Sequence, residues 1–294
     1  MTTELLVAGS VALDTLDGPF GTVTDELGGS ALYFALAASL IAPVRMIAPI
    51  GRESVDAVRD AIAGRPIDAG GLVVLDAPTY RWRAQQAMNR NIDLGNRDSI
   101  YDHWTPAAPA GYSGWAFVGS MRPDRQAQMA ALLRGAELLA ADAMLSYVRA
   151  QTPHARQVLG MTHWYFCNRD EFAALGGTDP ETSRREWALE GLIIKDGPGG
   201  VTAFVEGRAL HVPALTYRPV VDTTGAGDAV AAGMLARWSV TRRTRASLHD
   251  ALMWGVACAS IAISDIGVRA LRKATHEDLL ERVEEVREVA SRAR

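Results

Sequence analysis

The stretch Val221-Asp-Thr-Thr-Gly-Ala-Gly-Asp-Ala-Val-Ala-Ala-Gly-Met-Leu-Ala236 constrains this chain more than any other. Val220 and Val221 end an extended segment and Ala226 to Trp238 is rich in helix formers, so Gly225 to Asp228 fall where a loop becomes a helix. The first N–H groups of a helix lack intrahelical partners, and the macrodipole adds partial positive charge there. Such a junction holds a phosphate or a developing oxyanion through amides alone. Gly225 and Gly227 carry no side chain to keep an anion away. Asp228 is the odd member, because a carboxylate repels a resting phosphate, whereas beside a hydroxyl nucleophile it orients the attack and accepts the proton. The pattern points to phosphoryl transfer to an alcohol. A helix cap with a tight turn is the alternative for the same residues.

Strand and helix patterns alternate around this stretch. Glu4 to Ala8 reads as a buried strand, Ala31 to Leu40 as a buried helix starting at Ser30, Val44 to Gly51 as a strand and Ser54 to Ala63 as a helix. That order argues a parallel sheet flanked by helices. Gly114 to Ser120, Asp124 to Leu133 and Glu137 to Asp142 continue it. Asp142 ends a strand on the edge where open α/β sheets bind ligands, with a structural ion pair as the other reading. Leu72 to His103 instead alternates in polarity without a helical period, which suits a small antiparallel sheet with one wet face. Leu192 to Val205 reads as strand, glycine-rich turn and strand, with Lys195 within reach of a phosphate as a point charge.

The 294 residues, 48% hydrophobic and 22% charged with a formal net charge of -4, show no basic footprint for nucleic acid. No apolar run has the length of a membrane span and no secretory signal is visible, so a cytoplasmic location is the default expectation. Cys167 and Cys258 are too few for a disulfide framework or a zinc site. Neither a G-x-x-x-x-G-K-[ST] loop nor a dinucleotide fingerprint is present, since Val230 stands where the fingerprint's last glycine belongs.

Asp222 to Ala229, together with Gly28-Gly29-Ser30 and Asn168-x-x-Glu171, resembles the ribokinase-like (PfkB-type) carbohydrate and nucleoside kinase family over nearly the whole chain. The resemblance implies one domain over 1–294, a three-layer α/β/α sandwich with a mainly parallel sheet, and a β-sheet lid from about 12–26 and 72–104. It implies an ATP- and Mg²⁺-dependent kinase acting on a hydroxymethyl group of a small sugar. A nucleoside acceptor and a non-catalytic nucleotide- or sugar-binding module are the alternatives. By resemblance Asp228 is the base and Gly225, Ala226 and Gly227 the anion hole. Asp14, Gly28, Gly29 and Ser30 hold the substrate, and Glu171 organises the metal, with a helix-capping pair as the competing account of Asn168 and Glu171. Asn168, Lys195, Gly197, Gly200 and Thr223 face the nucleotide. Ala257, Ser260 and Gly267 neighbour the purine, core packing being their alternative. The lid aromatics Tyr80, Trp82, Tyr101 and Trp104 suit stacking on a nucleobase or simply fill a small sheet. Dimerisation through the lid is open to such a protein.

Overall fold

Short apolar runs of four or five residues dictate strands buried on both faces, and alternate residues of each central strand enter two separate cores. The structure, a computed structural model, describes residues 4–87, 90–241 and 245–292. The chain begins with β1 (Leu5–Ala8), β2 (Ala12–Gly18), β3 (Gly21–Gly28), α1 (Ser30–Ala38), β4 (Val44–Gly51), α2 (Val55–Ile62) and β5 (Ile67–Leu75). Next come β6 (Arg81–Ala87), β7 (Arg90–Arg97), β8 (Trp115–Val118), α3 (Pro123–Leu132), β9 (Leu138–Asp142), α4 (Leu145–Ala150) and α5 (Thr152–Leu159). β10 (Trp164–Asn168), α6 (Arg169–Ala174), α7 (Pro180–Glu186), β11 (Gly191–Lys195), β12 (Val201–Val205) and β13 (Arg208–Val212) follow. The chain closes with α8 (Ala226–Val240), α9 (Arg245–Ala262), α10 (Arg269–Lys273) and α11 (His276–Arg292).

The large sheet has nine strands in the order β13-β12-β11-β10-β9-β8-β1-β4-β5. It is parallel from β11 to β5, and β12 and β13 add an antiparallel edge. Leu5, Val7, Trp115, Phe117, Trp164 and Phe166 pack beneath α1, α8, α9 and α11. The intervening residues Leu6, Ala8, Ala116, Val118, Tyr165 and Cys167 pack against α3 and α5. This is the expected three-layer sandwich. Trp238 of α8 locks one layer to the sheet, its ring edge-on to Trp115 at 5.5 Å and Trp164 at 5.0 Å between centroids.

A second sheet of four strands, β3-β2-β6-β7, forms the lid. Its boundaries differ from the expected ones. Leu72 to Leu75 belong to β5, which pairs parallel with β4 at the edge of the large sheet. An edge strand is half-exposed, so it alternates in polarity just as a lid strand does. Tyr80, Tyr101 and Trp104 are buried in the core beneath α3 and α5, which leaves Trp82 as the aromatic side chain on a lid strand. Ile92 and Leu94 of the lid's edge strand β7 are exposed. Among the described residues no helix is long and apolar enough to cross a membrane.

The helices α8 and α9 meet through glycines. A β-carbon on Gly233 would come within 2.6 Å of the Trp254 carbonyl oxygen and 2.9 Å of the Gly255 Cα. Those neighbours are helix backbone and cannot step aside. Gly233→Ala therefore sets an overpacking cost of about 1–3 kcal/mol against a helix-propensity gain of about 1 kcal/mol. A net loss of stability with a Tm lowered by several degrees is expected in thermal denaturation.

Candidate active site

The carboxyl ends of the parallel strands collect the chemistry. Asp142 ends β9, Asn168 ends β10 and Lys195 ends β11, while α1, α6 and α8 begin near the same edge. Gly225 caps α8 in the left-handed region with φ 73°, which glycine adopts without strain. A side chain there would also collide with the Tyr33 ring. The N–H groups of Gly225 and Gly227 have no backbone acceptor among the described residues, whereas Ala226 N–H donates to Thr223 O at 3.3 Å. Of the three amides expected to form the anion hole, Ala226 is thus committed within its own loop.

Asp222, almost fully buried, holds this loop in shape. Its Oδ1 accepts from Thr224 N–H at 2.9 Å and from the Thr224 hydroxyl at 2.7 Å, and its Oδ2 accepts from Gly267 N–H at 3.0 Å. Gly267 is therefore a structural tie between the loop and the start of α10. A β-carbon there would also approach Glu26 of the lid within 2.5 Å. Glu26 is in turn held by Arg269 at 3.0 Å.

Four charged side chains converge beside α8. The Lys195 ammonium lies so close to Gly227 that a β-carbon would meet Nζ at 2.7 Å. Burial pulls its pKa down, but Glu171, Asp142 and Asp228 outweigh this and hold it above its ordinary value. Burial pushes the Asp228 carboxyl up to about 6, with Lys195 opposing and Glu171 adding to the rise. Asp142 is raised by burial and by Asp228, against Lys195, and Glu171 is raised by burial, again against Lys195. Asp142 Oδ1 and Asp228 Oδ1 are sealed from solvent without a hydrogen-bond partner. Such an orphaned atom costs about 1–3 kcal/mol, and a ligand carrying a donor relieves it.

On the lid side, Asp14 of β2 is buried with Oδ1 unpartnered, and its carboxyl is held well above the usual range by burial and then by Asp222 and Glu26. Gly28 leaves room for it, since a β-carbon at that position would strike Asp14 Oδ2. Gly29, at φ 97°, caps α1. Ser30 corrects the expectation drawn for it. Its hydroxyl accepts from Ser10 N–H at 3.1 Å and donates to Ser120 O at 2.8 Å, and its own N–H donates to Ser10 Oγ at 3.0 Å. Ser30 rivets α1 to the ends of β1 and β8 and has neither group left for a substrate.

Two residues missed in the sequence complete this wall. Tyr33, in the first turn of α1, lies between Gly28 and Gly225, and its hydroxyl is buried without a partner. Burial, then the charges of Asp222, Asp14, Asp228 and Glu26, keep it a neutral phenol. Asn91 of β7 reaches across from the lid, its Nδ2 donating to Thr224 Oγ1 at 2.8 Å. The segment from Arg81 to His103 is polar enough to contact a substrate or to face solvent, but nothing in it singles out Asn91. Tyr33 carried a weak signal as a polar-tipped residue in a helix otherwise almost wholly apolar.

The nucleotide-side expectations divide. Asn168 and Glu171 form a reciprocal capping box, Asn168 Oδ1 accepting from Glu171 N–H at 2.9 Å and Glu171 Oε2 from Asn168 N–H at 2.8 Å. The capping alternative is thus realised, and one oxygen of Glu171 is committed. Gly197, at φ 51°, opens onto free space, while Gly200 is required by the turn, where a side chain would collide with Val212 O. Thr223 contributes its carbonyl to the loop. Ala257 is wholly buried in the core under α9, and Ser260 Oγ accepts from Arg282 Nη1 at 2.7 Å. Packing accounts for both, and neither presents surface to a purine. Among the described residues no three His, Cys, Asp or Glu side chains converge as a metal cage. Asp142 and Glu171 suit Mg²⁺, which keeps most of its water shell and takes one or two carboxylates.

Known proteins share this fold. A nucleoside kinase from Methanocaldococcus jannaschii superposes with a TM-score of 0.76 at 17% identity, covering 96% of this chain and 98% of that one. A fructokinase variant from Vibrio cholerae, with fructose, ADP and potassium bound, gives 0.75 at 17% identity over 96% and 98%. Residues 21–274 match the pfkB family carbohydrate kinase. The chain belongs to that family, and it is a phosphotransferase with an alcohol group as acceptor. A cytidine kinase from Thermococcus kodakarensis is 25% identical over 251 residues, 80% of this chain and 88% of the relative.

Asp228 holds its proton more tightly in the fold than in the unfolded chain, so its contribution to stability is complete at low pH and is lost as the pH rises through about 6. Asp228→Asn removes that buried charge and leaves Lys195 with Glu171 and Asp142. The variant should be more stable than the parent by roughly 1–3 kcal/mol at about pH 8, with the difference vanishing below about pH 3. Denaturant unfolding at the two pH values measures this.

Proposed function

We propose that the chain transfers the γ-phosphoryl group of ATP to a hydroxymethyl group of a small sugar or sugar derivative, with Asp228 as general base. The observation that carries this reading is the unpartnered Asp228 Oδ1 in the first turn of a helix whose leading amides, on Gly225 and Gly227, are also uncommitted. An acceptor hydroxyl placed there gives its proton to Asp228 as its oxygen attacks the γ-phosphorus, and the bond from that phosphorus to the bridging oxygen breaks with ADP leaving. The amides and the positive helix end stabilise the charge that gathers on the transferred group. Lys195 adds a fixed positive charge beside Gly227 and keeps Asp228 ionised at neutral pH. Mg²⁺, when bound, neutralises charge on the nucleotide phosphates, and Asp142 and Glu171 are the residues that would hold its water shell. Asp14 and Tyr33 orient the acceptor under the lid. A nucleoside acceptor is the second reading. It is supported by the cytidine kinase that matches 80% of this chain.

ATP consumption with Mg²⁺ across pentoses, hexoses, phosphorylated sugars and nucleosides tests the proposal. Asp228→Asn should lower kcat on the accepted substrate by about a thousandfold or more while ATP binding changes little. Turnover surviving in that variant would sink the assignment of the base. Lys195→Met removes the cation that opposes protonation, so the acid limb of the kcat profile should move from near 6 to higher pH. An unmoved limb would assign it to another group.

A further inference from the structure

A proton can be donated only once, and this fixes the orientation of Asn91. Both oxygens of Asp222 accept backbone N–H groups, from Thr224 and Gly267, so Asp222 acts here as an acceptor. The Thr224 hydroxyl, 2.7 Å from Asp222 Oδ1, must spend its single proton on that carboxylate. Toward the lid Thr224 Oγ1 is therefore an acceptor, and the atom facing it at 2.8 Å must be the amide nitrogen of Asn91. The other end of the amide is then fixed as well. Asn91 Oδ1 is a bare acceptor, buried and without a donor.

The surroundings share this deficit. Gln86, directly across from Asn91 in the β6–β7 register, also buries an unpartnered oxygen, Oε1. Asp14 Oδ1 on β2 is a third acceptor in the same state. Tyr33 and Trp82 each bury one unspent donor, and two donors cannot satisfy three acceptors. The lid side of the site is therefore short of donors, and the missing proton has to arrive with a ligand. A polyhydroxylated ring carries one on every hydroxyl.

We propose that Asn91 is a specificity-determining residue whose Oδ1 accepts a hydrogen bond from a hydroxyl of the acceptor molecule other than the one phosphorylated. This rests on the kinase reading above and names what its acceptor site selects: a ring with a free hydroxyl beside the hydroxymethyl-bearing part. Because the same amide donates to Thr224, two residues before Ala226 at the start of α8, a recognised substrate holds the lid against the loop that carries Asp228. A ring that lacks the hydroxyl leaves Oδ1 orphaned under the closed lid, the kind of loss by which buried polar sites reject analogues.

The experiment compares Asn91→Ala with the parent enzyme on the best acceptor of the panel and on each of its monodeoxy analogues. Asn91→Ala should raise the acceptor KM by about tenfold while the ATP KM stays within about twofold. One monodeoxy analogue should be poorer by about tenfold for the parent and no poorer than the intact acceptor for Asn91→Ala. If alanine disturbs the hairpin, seen as a raised ATP KM, Asn91→Gly or Asn91→Ser reads the same contact. An acceptor KM unchanged in the variant, or deoxy penalties identical in both proteins, overturns the assignment. Absence of parental turnover on every acceptor, with ATP bound, instead overturns the kinase reading, and the assignment falls with it.

Discussion

A single buried carboxylate holds the candidate active site in shape. Asp222 gathers the Thr224 amide, the Thr224 hydroxyl and the Gly267 amide, and so joins the loop before α8, the segment between α9 and α10 and, through Thr224, the lid. Hydrogen bonds to a charged acceptor are stronger than neutral ones, and burial removes the water that would compete for them. The left-handed turn at Gly225 and the orientation of the first α8 amides follow from this clamp. So does the direction in which Asn91 presents its amide.

The fold supplies the rest by placing strand ends and helix starts along one edge. Ser30, Ser10 and Ser120 stitch α1 to that edge with hydroxyls and amides that would otherwise be orphaned at a helix start. Lys195 reaches among three carboxylates that would otherwise repel one another. Burial and this cation pull the Asp228 carboxyl in opposite directions and leave it at about 6.

Much of this was readable in the sequence because it is local. A loop-to-helix change of composition, with glycines flanking it and a carboxylate one residue later, locates the start of α8 without any tertiary information. The strand runs that end in Asp142, Asn168 and Lys195 likewise announce their edge. What could not be read depends on partners far apart in the chain. Ser30 looked available because nothing nearby in sequence reveals Ser10 and Ser120 as its partners. The packing of Ala257 and the bond from Arg282 to Ser260 are equally remote in origin. Leu72 to Leu75 misled for a physical reason: the edge of a parallel sheet and a lid strand are both half-wet, so both alternate. Asn91 acquires its meaning only from Thr224, more than a hundred residues away in the chain.

Trp82 gives the lid an optical property of its own. The chain has seven tryptophans, and this is the one on a lid strand, its indole N–H sealed from water and without an acceptor in the closed arrangement. An indole whose N–H is sealed from water emits at shorter wavelength than a wet one, and lifting the lid would wet the N–H of this half-buried ring while those under α8 stay dry. Replacing the others by phenylalanine where packing tolerates it would leave a chain whose own fluorescence follows the lid, without any attached dye.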